Sequence, residues 1–202
     1  MLKPSFNAIT MTILRLVLIL YFSSLSIKYF MLIIIIIFVI IMAEIKFYDR
    51  EAELETLASI SEPFLAIIYG RRRVGKTRLV LEFCRNRRFI YLFVNPEKSS
   101  KMLLEEFSSQ LREAMRLPSY VRTESWREFF ELLSEYDGII VFDEFQWFTK
   151  IDSSVPFELQ RFWDTKEKRS SVIVCGSVVG LIKRLFEDYQ SPLYGRADVR
   201  LE

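Results

Sequence analysis

Residues Gly70–Thr77 read GRRRVGKT. They stand between an apolar run, FLAIIY (Phe64–Tyr69), and a segment of helical periodicity from Lys76 to Cys84. No other stretch of the 202-residue chain restricts its fold so strongly. The two glycines let the backbone fold tightly enough to aim successive N–H groups at a single anionic group. A helix opening at the same point adds the positive end of its dipole. The spacing G-x-x-x-x-G-K-T, after a strand and before a helix, therefore predicts a phosphate cradle. Its residues are Gly70, Arg71, Arg72, Arg73, Val74, Gly75, Lys76, Thr77 and Arg78. Lys76 is expected to reach the β- and γ-phosphates of a nucleotide, and Thr77 to offer its hydroxyl to Mg2+. Arg71, Arg72 and Arg73 either remain solvated or lean toward nucleotide or a neighbour.

The rest of the body alternates between strand and helix patterns. Asp49–Ser59 carries Leu54 and Leu57 on one helical face, with Asp49 as N-cap. Phe64–Tyr69 and Phe89–Val94 read as buried strands, followed by amphipathic helices over Ser99–Met115 and Thr123–Tyr136. Gly138–Phe142 is a third strand, Pro156–Thr165 a helix, Val172–Cys175 a fourth strand, and Val178–Phe186 a helix. Ala197–Leu201 begins a fifth strand. Near-continuous apolar strands separated by helices imply a parallel α/β sheet covered on both faces, joined by right-handed crossovers.

The third strand ends in IIVFDEFQ. Paired acids at that point, in the same sheet as a phosphate loop, are expected to divide the work. Asp143 holds the Mg2+ shell and Glu144 polarises an attacking water as general base. Ser177, after the fourth strand, is placed to reach the γ-phosphate or the lytic water, a role compatible with capping the helix that begins at Val178. Arg196 follows a loop containing proline and glycine. It is either an arginine finger or an ordinary surface arginine. The aromatics of EFQWF are expected in the core or at a partner surface. The basic cluster Arg85, Arg87 and Arg88 is read as a complement to a helix C-terminus.

Composition excludes several chemistries. The chain has no histidine, which removes Ser-His-Asp and Cys-His nucleophilic catalysis and zinc chemistry of the HExxH type. Its two cysteines, Cys84 and Cys175, form no CxxC pair and suit a reducing, cytoplasmic compartment. A net charge of +2 gives no bulk attraction to nucleic acid.

Residues 1–43 are of another character. They contain no acid, and YFMLIIIIIFVIIMA (Tyr29–Ala43) contains no charge. Two readings stand: a membrane anchor, which would make the protein membrane-associated, or an upstream stretch outside the true protein, with translation starting at Met42. The run is shorter than the ~20 residues of a usual spanning helix, although Lys28 and Lys46 could snorkel.

Five segments occur in order: FYDREAELETL, IIYGRRRVGKTRL, IIVFDEFQW, VIVCGSVVGLIKRL and SPLYGR. Together they resemble the archaeal ATPase family of P-loop proteins, near the AAA+ and STAND ATPases, over Met42 to Glu202. The resemblance implies a P-loop NTPase three-layer sandwich with strand order 5-1-4-3-2 and with ATP and Mg2+ as ligands. It carries Lys76, Thr77, Asp143, Glu144 and Ser177 into their usual roles, and puts Arg50 on the nucleotide side of the first helix. Family members open with a segment like MAEIKFYDREAEL, which favours a start at Met42. They also continue into a helical lid and a winged-helix or nuclease-like region. The expected domains are thus an apolar segment over 1–43 and an ATPase core over 44–202 that stops before the lid. Self-association or a partner would then supply the lid, and DNA would be reached through further domains. The alternative function is a nucleotide- or partner-binding module without turnover.

Overall fold

The structure, a computed structural model, describes residues 50–164 and 169–202. The readings placed on residues 1–43, Asp49 and Thr165 lie outside the described residues. Helix α1 (Glu51–Ser59) leads into β1 (Leu65–Tyr69), and α2 (Lys76–Cys84) follows the glycine loop. Next come β2 (Phe89–Phe93), α3 (Ser100–Ala114), α4 (Trp126–Leu133) and β3 (Gly138–Asp143). A 3-10 turn (Phe145–Trp147) runs into the short α5 (Phe148–Ile151), then α6 (Val155–Asp164), β4 (Ser170–Gly176), α7 (Val179–Glu187) and β5 (Val199–Leu201).

The five strands form one sheet in the order β2-β3-β4-β1-β5, all parallel, which is the expected 5-1-4-3-2 arrangement. Strand side chains alternate between the two faces. Leu65, Ile67, Ile140, Phe142, Val172 and Val174 enter the larger core with residues of α3, α4, α6 and α7, such as Phe107, Phe129, Leu159 and Phe186. Ala66, Ile68, Ile139, Val141, Ile173 and Cys175 are equally buried on the opposite face, which α1 and α2 cover through Leu57, Leu79, Val80 and Phe83. The result is three layers, with α2 and the loop before it at the carboxyl ends of the central strands, where open α/β sheets bind ligands.

Several boundaries differ from the sequence reading for identifiable reasons. Helix α4 starts at Trp126 and not at Thr123, because the Ser125 hydroxyl accepts from Glu128 N (3.2 Å) and caps the helix there. Thr123 instead bonds Ser108. Strand β4 is longer than Val172–Cys175, since two polar residues extend it without penalty. The Ser170 hydroxyl donates to the Tyr136 carbonyl, and Ser171 Oγ accepts from Phe64 N (3.2 Å). Strand β2 is not fully buried. It is an edge strand, and Phe93 is 44% exposed. In EFQWF, Phe145, Gln146 and Phe148 are buried in the core.

Candidate functional site

The loop between β1 and α2 owes its shape to Gly75. This residue caps α2 at φ 85°, a left-handed conformation that a side chain disfavours. Arg73, two residues earlier, also has positive φ (67°), so the loop turns sharply within three residues. Lys76 is buried, and its Nζ donates to the carbonyls of Gly70 and Arg71, both at 2.9 Å. The ammonium thus ties the loop across its base. From outside, Arg50 Nη2 donates to Val74 O at 2.7 Å. The arginine at the head of α1 therefore braces the loop directly.

Beside this loop the end of β3 brings in two carboxylates. Asp143 is buried, and its Oδ2 accepts from Thr77 Oγ1 at 2.8 Å and from the Tyr91 hydroxyl at 2.5 Å. Its Oδ1 accepts from Glu144 N at 2.9 Å. Burial and the bond to Asp143 push the Tyr91 phenol well above its ordinary pKa, so it remains a neutral donor. Glu144 adopts a left-handed conformation (φ 57°, ψ 33°), which costs a non-glycine residue about 1–2 kcal/mol. Its Oε2 accepts from Ser177 Oγ (2.7 Å) and from Gln146 Nε2 (2.5 Å). Gln146 is fully buried beneath it, packed where Gly176 leaves room.

A cleft of about 580 Å3 opens over these groups. Arg72, Arg73, Lys76, Thr77 and Arg78 line it on the loop side, Glu144 and Ser177 on the sheet side, and Phe93, Pro96 and Trp147 around the rim. Four cationic side chains facing so few acids make the cleft suited to a polyanion of phosphate type. Among the described residues no cluster of carboxylates or thiols forms a metal site by itself. The Thr77 hydroxyl beside the Asp143 carboxylate is nevertheless a hard-oxygen pair of the kind Mg2+ uses when phosphates and water complete its shell.

The structure thus brings together all the expected site residues but one. Gly70, Arg71 and Val74 take part through their carbonyls. Ser177 does not cap α7. The residue at the cap is Val178, and the serine hydroxyl turns to Glu144 because that acceptor is closer to hand. Arg196 stands apart from the cleft lining. It makes a bidentate pair with Asp164, Nε to Oδ1 at 2.8 Å and Nη2 to Oδ2 at 2.7 Å. Of the basic cluster, Arg85 stands at the C-cap of α2, while the other two are engaged elsewhere. Arg87 pairs with Glu62 at 2.8 Å and covers the Phe83 ring, and Arg88 covers the Tyr136 ring. Tyr91 and Gln146 were not singled out by sequence, because their contacts with the two carboxylates arise only when β2 and the turn after β3 are in place.

The family model of the ATPase domain found predominantly in Archaea matches residues 47–201. The chain belongs to this archaeal ATPase family. A protein of similar sequence is the uncharacterized protein MJECL04 of Methanocaldococcus jannaschii, 35% identical over 156 residues, which cover 74% of this chain and 34% of that protein. The fold of the archaeal ATPase domain is similar to part of two solved Aeropyrum pernix proteins. One is ORC1 in complex with DNA, with TM-score 0.53 and 22% identity, covering 75% of this chain and 44% of that one. The other is ORC2 in its ADPNP–ADP complexes, with TM-score 0.56 and 16% identity, covering 78% and 48%. The chain therefore spans about a third of the length of its curated relative and under half of each solved structure. Among the described residues no helix is long and apolar enough to cross a membrane.

Proposed function

We propose that the domain binds ATP with Mg2+ in the cleft above Gly70–Thr77 and hydrolyses it to ADP and phosphate. The observation that carries this reading is the contact between Thr77 Oγ1 and Asp143 Oδ2, which joins the glycine loop to the end of β3 beside Glu144. In this reading the loop N–H groups and the opening turn of α2 hold the phosphates. Lys76 exchanges its loop carbonyls for the β- and γ-phosphates. Thr77 and Asp143 hold the cation, which when bound offsets the charge of the phosphate oxygens. Glu144 orients and polarises water, and Ser177 positions the Glu144 carboxylate. Hydrolysis alters these contacts, and the change is relayed to further parts of the protein or to a partner. Self-association or a partner would complete the nucleotide site. The fold shared with a DNA-bound protein makes DNA the first macromolecule to test.

A second reading has a specific observation in its favour. Both donors to Glu144, Ser177 and Gln146, fall on one oxygen, Oε2, which keeps that carboxylate engaged. A domain held in this state would bind nucleotide without turning it over. Substituting Glu144→Gln separates the readings. Under the hydrolytic reading, binding of Mg·ATP persists while phosphate release falls at least about a hundredfold, the size expected when a general base is lost. Equal turnover in the variant and the parent would remove Glu144 from the chemistry. A parent with binding but no turnover would establish the second reading.

A further inference from the structure

We infer that Tyr91, on the edge strand β2, is a positioning residue for the divalent cation, acting through Asp143. The inference rests on the nucleotide-binding reading above and extends it to a residue outside the loop and the acidic pair. Its basis is a count of hydrogen bonds. An ionised carboxylate offers about four lone-pair sites. Three on Asp143 are taken: Oδ2 accepts from Thr77 Oγ1 (2.8 Å) and Tyr91 OH (2.5 Å), and Oδ1 accepts from Glu144 N (2.9 Å). Among the described residues' contacts one site remains, on Oδ1. The carboxylate is buried, so bulk water does not compete for it. Tyr91 therefore leaves Asp143 a single direction in which to meet the cation or its water.

The sheet register explains how Tyr91 comes to be there. Phe93 pairs with Asp143 and Tyr91 with Val141, so Tyr91 is the diagonal neighbour of Asp143 across β2 and β3. The tyrosine side chain spans this diagonal and brings its hydroxyl to 2.5 Å from Oδ2. Thr77 reaches the same oxygen from a different element, the start of α2. Without the phenol, Thr77, itself a proposed cation ligand, would be the only side chain among the described residues that bonds Asp143. Groups that orient a metal ligand in this way commonly contribute ten- to hundredfold in metal affinity.

The test uses the full chain, a fluorescent ATP analogue and a titration of MgCl2, comparing the parent with Tyr91→Phe, which keeps the ring and removes only the hydroxyl. The expected result is a rise of about tenfold or more in the Mg2+ concentration for half-maximal binding, with analogue affinity in EDTA unchanged within about twofold. A purely structural role for Tyr91 would weaken binding equally with and without Mg2+, and that outcome overturns the inference. So does an unchanged half-saturation. Asp143→Asn supplies a second check. In that background Tyr91→Phe should add no further shift in Mg2+ dependence, and a full additional shift would show that Tyr91 does not act through Asp143. If the parent itself shows no Mg2+-dependent binding, the nucleotide reading fails and the inference with it, a result distinct from equal titrations in parent and variant.

Discussion

Gly176 closes β4 at the point where the support beneath Glu144 meets α7. A Cβ at this position would lie 2.3 Å from Ile182 Cγ1, 2.5 Å from Ile182 Cδ1 and 2.6 Å from Gln146 Oε1. All three distances fall far inside the ~3.5–4.0 Å optimum for non-bonded contact. Ile182 and Gln146 are both fully buried, so neither side chain has solvent into which to retreat. The cost of Gly176→Ala is therefore overpacking, about 1–3 kcal/mol. For a domain of this size each kcal/mol lowers Tm by about 2–4 °C, giving a fall of roughly 2–12 °C. Urea unfolding followed by tryptophan fluorescence measures the loss as a lower midpoint at constant slope. Ile182→Ala supplies the control. It removes both clashing carbons, so Gly176→Ala should cost at least about 1 kcal/mol less in that background than alone. An unchanged midpoint for Gly176→Ala, or strict additivity in the double variant, would refute the packing argument.

Arg50→Ala removes the brace on Val74 O while leaving the loop residues intact. ATP affinity measured by calorimetry should fall about two- to tenfold, with stability changed by less than about 0.5 kcal/mol because the contact is exposed. The thiols give a pH prediction. Burial pushes Cys84 up to about 12, against the lowering influence of Arg87, and burial also holds Cys175 well above its usual range. Neither thiol should react with a disulfide reagent at pH 8 until the chain unfolds. The ordinary value is 9.0, so between roughly 9 and 12 the folded state keeps protons that the unfolded state releases. Stability then falls as pH rises across that window, by up to about 1.4 kcal/mol per unit for each thiol. Replacing both cysteines with alanine should flatten that slope in urea titrations at pH 8, 9 and 10.

What could be read from the sequence was what short stretches determine for themselves. GRRRVGKT specifies a loop, a helix start and a cation within eight residues. FLAIIY and GIIVF have no charged position that would need to face water, so they read as buried strands, and they form most of β1 and β3. The failures involve partners distant in the chain. The serines that open β4 look unsuited to a buried strand until Tyr136 O and Phe64 N are seen to satisfy them. Ser177 reads equally well as a helix cap, and only the position of Glu144 decides. Arg196 is drawn to Asp164, 32 residues away.

Tyr91 shows the limit most clearly. FIYLFV reads as uniformly apolar, and nothing within it tells a core tyrosine from one that holds a carboxylate. The distinction depends on the pairing of β2 with β3, which sets Phe93 opposite Asp143. A slip of one residue would turn Tyr91 to the face occupied by Ile90 and Leu92, and would take its hydroxyl away from Asp143 altogether. The orientation of Asp143 is thus set by the register of an edge strand 52 residues from it in the chain, whose packing is formed by Ile90 and Leu92 against the larger core. Mutations that loosen that packing, such as Leu92→Ala, should for this reason raise the Mg2+ concentration for half-maximal nucleotide binding as well as lower stability, although Leu92 lies on the opposite strand face from Tyr91.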